Sequence, residues 1–227
     1  MSLPVIVTRP EPGNAATVAR LAALGIAARA MPLFAAKPLP WSAPDAGDHD
    51  ALLLTSAQAV RLAGPDLARL ASLPVHAVGA ATAAAAEAAG LTVVATGTCD
   101  AQNLIDAMTA SEKPRILWLC GRDRSDLEAR GARLSPLPCY AVDPVDPPAD
   151  WEQAIAAPAI LLAHSARGAA RIAALTEGRR DALALVAISA AAARVAGSGW
   201  ASVTVTERPD DAAMVTAAVD LCKKGEK

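Results

Sequence analysis

The stretch "LLLTSAQAV" at 52–60 sets an apolar run, a hydroxyl pair at Thr55 and Ser56, and an alanine-rich continuation side by side. A short apolar run that stops at hydroxyl residues and resumes with helix formers reads as a buried strand, a turn and a helix. "ILLAHSARGA" at 160–169 repeats the arrangement, with Ser165 in the place of Ser56. Nearly the same separation aligns "AVGAATAAAAEAAGLTVVAT" from Ala77 with "AISAAAARVAGSGWASVTVT" from Ala187, and "PVIVTRPE" from Pro4 with "PRILWLCG" from Pro114. The chain therefore reads as a duplicated half.

Within the first half, strands and helices alternate. "PVIVT" is predicted as a strand, "NAATVARLAAL" as a helix ending at Gly25, and "IAARAMPLF" as a second strand. "ALLLTS", "VHAVG" and "TVVAT" follow as strands, with "AQAVRLAGPDLARLA", interrupted at Gly64 and Pro65, and "AATAAAAEAAG" as the helices between them. "DAQNLIDAMTA" closes the half as a helix with Asp100 as its N-cap. Alternation of this kind requires parallel pairing through right-handed crossovers, so the class is α/β. "AAKPLPWSAPDAGDHD" and "AVDPVDPPADW" are rich in proline and lack any period, so both read as connections. One in each half implies two similar lobes, each a parallel sheet flanked by helices, joined by two chain crossings.

Composition narrows the function classes. At 227 residues, 53% hydrophobic and 19% charged, the chain has the make-up of a globular protein with room for two cores. A formal net charge of −2 disfavours a general nucleic-acid binder, which needs a basic surface to release phosphate counterions. Arg, Asp, Glu or Pro interrupts every alanine-rich run, so no membrane span is expected. The opening "MSLPVIVTRPEPG" does not resemble a secretory signal, and a cytoplasmic location is expected. Cys99, Cys120, Cys139 and Cys222 include no C-x-x-C pair, and His49, His76 and His164 are dispersed, so no metal site is expected. Nor is there a G-x-G-x-x-G after a strand, a P-loop, or a G-x-S-x-G elbow around Ser56 or Ser165.

The candidate site is a set of helix starts. In open α/β sheets ligands bind beyond the carboxyl ends of the strands, where free N–H groups and positive dipole ends face outward. Thr8 and Arg9, Thr55 and Ser56, Gly79 and Thr82, Gly121 with Arg122 and Arg124, Ser165, and Ser189 all fall there. Hydroxyls, small residues and arginines at several helix starts suit carboxylates. Each Ser or Thr is also an ordinary N-cap, so the recurrence across both halves carries the functional reading rather than any one residue.

The residues also carry a resemblance. "VIVTRPEPGNAATVARLAALGIAARAMPLF", "LLLTSAQAV", "VHAVGAATAAAAEAAGL", "ILWLCGRDRSDL", "CYAV" and "AISAAAARVAGSGWASVTVTERPDDAAMV", in that order over nearly the whole chain, resemble the uroporphyrinogen-III synthase family. The resemblance implies a lyase without a cofactor that cyclises hydroxymethylbilane to uroporphyrinogen III, with loss of water and inversion of the terminal pyrrole ring. It implies two α/β lobes joined by a two-stranded linker, residues 1–34 with 143–227 forming one and 35–142 the other. Tyr140 of "CYAV", the one tyrosine in the chain, would donate a hydrogen bond to the departing hydroxyl. Ser56, Thr82, Ser165 and Ser189 would meet substrate carboxylates, with Arg9 and Arg124 adding charge. The implied partner is the linear tetrapyrrole alone, handed over by hydroxymethylbilane synthase to a monomeric enzyme. Two features depart from the family pattern: the helix after "CGRDRSDLEARGA" is shortened relative to the usual spacing before the tyrosine, and "AISAAAA" has alanines where the family often carries proline and another hydroxyl. A two-lobed binding module for a small anionic ligand is the alternative reading.

Overall fold

A computed structural model describes residues 3–97, 101–109 and 114–224. The chain begins β1 (Val5–Val7), α1 (Gly13–Ala23), β2 (Ala28–Ala30), β3 (Phe34–Pro38), β4 (Ala51–Leu54), α2 (Ala57–Leu62). It continues β5 (Val75–Val78), α3 (Ala80–Ala88), β6 (Val93–Gly97), α4 (Ala101–Met108), β7 (Arg115–Gly121), β8 (Arg133–Pro144). The last part is α5 (Trp151–Ala154), β9 (Ala159–Ala163), α6 (Ala166–Leu175), β10 (Leu183–Ala187), α7 (Ala190–Ala196), β11 (Ser202–Val205) and α8 (Asp211–Lys224).

Two sheets result, one of five strands in the order β11-β10-β9-β1-β2 and one of six in the order β3-β8-β7-β4-β5-β6. Every pairing among β11, β10, β9, β1 and β2, and among β8, β7, β4, β5 and β6, is parallel. Chain contacts divide the molecule into two compact units, Met1–Ala35 with Pro144–Lys227 and Ala36–Asp143.

The central strands are buried along their whole length, β4 and β9 without an exposed residue, as parallel strands covered on both faces must be. In the six-stranded sheet Leu52, Leu54, Leu117 and Leu119 pack on one face, and Leu53, Ile116, Trp118 and Cys120 on the other. The five-stranded sheet buries Val5, Val7, Ile160, Leu162 and Val186 under Met214, Ala218 and Cys222 of α8. Small side chains on the helices let them approach closely: Ala192 and Ala196 of α7, and Ala86 of α3, are buried almost completely. Among the described residues no helix is long and apolar enough to cross a membrane.

The duplication is visible in the strand orders, but with an exchange. Reading β11-β10-β9-β1-β2 beside β6-β5-β4-β7-β8 matches each strand to its counterpart in the other half of the chain. β1 nevertheless joins the sheet of the second half, and β7 that of the first. Neither half of the sequence contains a complete sheet.

Three predicted elements differ from their structures. "IAARAMPLF" is divided: Met31 N and Leu33 N still donate to the carbonyls of Val7 and Thr8, at 2.9 and 3.0 Å, but Pro32 between them has no N–H, and β3 starts at Phe34. The two proline-rich connections contain strand residues, because β3 pairs with the far end of β8. Leu39 N donates to Cys139 O at 2.9 Å and Val145 N to Leu33 O at 3.1 Å, so numbers rise on one strand as they fall on the other, the antiparallel sense. Pro136 and Pro138 of β8 lie short of that overlap, where a missing N–H breaks no ladder bond. The rest of the first connection is pinned by Trp41, whose indole donates to Ala63 O at 2.7 Å.

The third difference matters for the site. Between β7 and β8, residues 122–132 form no helix, whereas α1 stands between the equivalent strands β1 and β2. Side-chain bonds take the helix's place: Gln102 on α4 donates to Glu128 O at 3.0 Å and accepts from Glu128 N at 2.8 Å, imitating a backbone pair. Arg130, at φ 49, pairs with Asp106 and Glu128. The N-cap expected at Asp100, and Cys99, lie outside the described residues.

Candidate functional site

In the unit Ala36–Asp143 the carboxyl ends of β4 and β7 open onto a cavity of about 510 Å³ lined by Thr55, Ser56, Trp118, Gly121, Arg124 and Tyr140, among others. The irregular 122–132 segment forms one wall, through Asp123 to Leu127. A helix in the manner of α1 would cover this end of the sheet differently.

Tyr140 reaches the cavity through a bulge. β7 and β8 pair regularly up to Cys120 opposite Pro138, and then Gly121 lies opposite Tyr140, leaving Cys139 as the extra residue. A bulge of this kind re-aims the side chain that follows it. The phenol lies flat over Gly121, where a Cβ would stand 2.9 Å from Tyr140 Cζ and 3.1 Å from its hydroxyl oxygen. Its hydroxyl lies beside Ser56, which lines the same cavity. Burial raises the Tyr140 pKa above the ordinary tyrosine value, the nearby Ser56 hydroxyl offsetting only part of this, so the phenol keeps its proton as a donor. Cys139 beside it donates to Ala59 O and to Cys120 O, both at 3.6 Å, and burial pushes its thiol up to about 12, so it is no nucleophile.

Ser56 begins α2, its oxygen accepting from Gln58 N at 3.2 Å. That bond occupies a lone pair and leaves the hydroxyl proton free to donate. Thr55 accepts from the Trp118 indole at 3.2 Å, which fixes that ring in the cavity, and the Arg124 guanidinium stands 5.5 Å over the ring centre. Trp118 was not among the residues expected from the sequence; an apolar run gives no sign that one of its members ends in a cavity. Gly79 and Thr82 do not line this cavity. Gly79 takes φ 83, a conformation glycine adopts without strain, and Thr82 is buried in α3.

In the other unit Ser165 and Ser189 cap α6 and α7, accepting from Gly168 N at 3.0 Å and Ala192 N at 3.2 Å. Like Ser56 they stand at carboxyl ends of central strands with extended backbones, and each keeps a hydroxyl proton. Thr8 does something else: its hydroxyl donates to Leu162 O at 2.9 Å, stitching β1 to β9 from a buried position. Arg9 is part of a cluster that no motif announced. Asp211, at the start of α8, accepts from Arg9 Nη1 at 2.9 Å, Thr17 Oγ1 at 2.5 Å and His164 Nε2 at 2.9 Å, and pairs closely with Arg20. Burial would raise the Asp211 carboxyl, but the bonds from His164 and Thr17 and the nearby positive charge outweigh it and hold the group well below the usual carboxylate range. Among the described residues no group of three potential ligands could hold a metal ion, and Cys120 and Cys139 are free thiols.

The family model described as uroporphyrinogen-III synthase HemD matches residues 15–216. No curated protein matches the chain. Among solved structures, the uroporphyrinogen-III synthetase of Helicobacter pylori superposes with a TM-score of 0.69 at 17% identity, covering 97% of this chain and 100% of that one. A mutant uroporphyrinogen III synthase of Thermus thermophilus gives 0.55 at 20% identity over 98% and 100%. At these identities both likenesses concern the fold.

Proposed function

The chain belongs to the uroporphyrinogen-III synthase family and cyclises hydroxymethylbilane to uroporphyrinogen III, with loss of water and inversion of the terminal pyrrole ring, a step of haem biosynthesis; we propose that it does so as a cofactor-independent lyase with Tyr140 as the donor to the departing hydroxyl. The observation that carries the residue assignment is the Tyr140 phenol, protonated, beside Ser56 and facing a cavity of about 510 Å³.

The chemistry asks little of the protein beyond a proton and an orientation. As the C–O bond of the hydroxymethyl group breaks, the pyrrole nitrogen supplies the electrons, and the oxygen leaves as water with a proton from a nearby donor. The resulting azafulvene cation is electrophilic by itself, so no side-chain nucleophile is needed. A hydrogen bond from Tyr140 to the leaving oxygen lowers the barrier to that step. Which carbon then closes on the cation depends on how the chain of pyrroles is held. Hydroxyl protons of Ser56, Ser165 and Ser189, with Arg9 and Arg124, would anchor the substrate carboxylates, and the Trp118 ring supplies a flat apolar surface for a pyrrole. Thr55 and Gly121, which line the same cavity, complete the proposed contacts there; Thr8 would act through its backbone. We place the enzyme in the cytoplasm as a monomer receiving its substrate from hydroxymethylbilane synthase.

The deciding experiment adds purified protein to freshly generated hydroxymethylbilane, oxidises the products and resolves the isomers by chromatography. A dominant type III isomer is expected. Type I alone, the product of spontaneous closure, from folded protein would overturn the reading in favour of ligand binding without reaction.

A further inference from the structure

Arg9 is held with more bonds than a partly exposed arginine needs. Its side chain is 31% exposed, yet its guanidinium donates to Asp211 at 2.9 Å and its backbone carbonyl accepts from Asn14 Nδ2 at 2.9 Å. The same Asn14 nitrogen donates to Val7 O at 2.8 Å, tying the first turn of α1 to the end of β1. The guanidinium lies flat over Gly13, where a Cβ would fall 2.5 Å from Arg9 Nε and 2.8 Å from Nη2. Asp211 does not serve as the helix cap, because Asp210 supplies that bond, accepting from Ala213 N at 2.8 Å. Its carboxylate is free to turn toward the ends of β1 and β9.

The cluster holds more positive than negative charge. Arg9 and Arg20 face the single carboxylate of Asp211. His164 must donate from Nε2, since the carboxylate only accepts, and its Nδ1 is buried without a partner, as is Asn14 Oδ1. An immobilised arginine beside surplus positive charge, at the carboxyl end of a parallel sheet, is pre-organised for an anion.

We propose that Asp211 is a positioning residue that fixes Arg9, against the floor provided by Gly13, for a carboxylate of the linear tetrapyrrole. The inference rests on the synthase reading, with Arg9 as a substrate contact. Asp211 touches no substrate; it acts through Arg9. Loosening Arg9 should therefore weaken substrate binding and leave the bond-breaking step nearly intact.

The test is a double-mutant cycle in steady-state kinetics on hydroxymethylbilane. Asp211→Asn is expected to raise KM about tenfold with kcat little changed. In an Arg9→Ala background the same change should have almost no effect on KM, since the residue it positions is gone. Independent, additive effects would overturn the proposal. Should Asp211→Asn fail to fold, Gly13→Ala carries the test: it displaces the guanidinium and leaves Asp211 in place. A raised KM there supports the proposal, and an unchanged one overturns it. An unaltered protein that yields only type I isomer would overturn the synthase reading itself, whereas an active one whose KM ignores both changes would overturn this inference alone.

Discussion

Gly121 and Tyr140 sit opposite each other across β7 and β8 because one residue, Cys139, is bulged out between them, and the phenol then rests on the glycine with no space for a Cβ. The close approach explains why the smallest residue ends β7. It also makes the tyrosine's orientation testable without removing its hydroxyl.

Gly121→Ala should displace the phenol from Ser56 and lower the rate of type III formation roughly tenfold, with a stability loss of about 1–3 kcal/mol from overpacking. Isomer analysis with a thermal melt checks both. Full activity would mean that Tyr140 has no required position.

Tyr140→Phe keeps the ring over Gly121 and deletes only the donor. Type III formation should fall roughly ten- to a hundredfold, while the fold is retained. Unchanged kinetics would remove Tyr140 from the mechanism.

Ser165 is both a cap and a proposed carboxylate contact, and two substitutions separate these roles. Ser165→Ala should cost about 1 kcal/mol of stability, whereas Ser165→Gly should cost a few tenths. If the hydroxyl also meets substrate, both variants should show the same rise in KM. A KM that follows stability instead would leave Ser165 as a cap only.

Acid should weaken the fold through Asp50. Its carboxylate takes bonds from the Arg115 side chain and backbone, and these lower its pKa from 3.8 to about 2. A carboxyl depressed in the folded state contributes stability that is complete above the unfolded value, and that contribution is lost as pH falls through the folded one. Thermal midpoints should therefore drop between about pH 4 and pH 2, and Asp50→Asn should flatten that part of the profile. Asp211, depressed as well, acts in the same direction. Carboxyl chemical shifts followed by NMR would test the assignment, and an Asp50 titrating at its ordinary value would reject it.

Much of the architecture was legible in the sequence because it is local. Apolar runs such as "ALLL" and "AILLA" are continuous because both faces of a parallel strand are covered, and the hydroxyls that follow, Ser56, Ser165 and Ser189, cap helices through bonds two or three residues away. The offset between the halves reappears as equivalent strand orders in the two sheets. Such features depend on near neighbours and on periodicity, which a sequence displays directly.

Tertiary structure decided the rest. The exchange of β1 and β7 between sheets costs the local sequence nothing, so neither strand reveals which neighbours it will join. The missing helix at 122–132 depends on Gln102 and Asp106 of α4, well before it in the chain. Trp118 reads as one more core residue until the end of β4 brings Thr55 to its indole. Asp211 lies in "ERPDDAAMV" with nothing to mark it, because Arg9 and Thr17 are 202 and 194 residues away and meet it only when the first strand packs beside β9. Composition and spacing determined what kind of sheet this chain makes and where its helices begin; which polar side chains converge was settled by packing between segments far apart in the chain, whose contacts leave no local pattern.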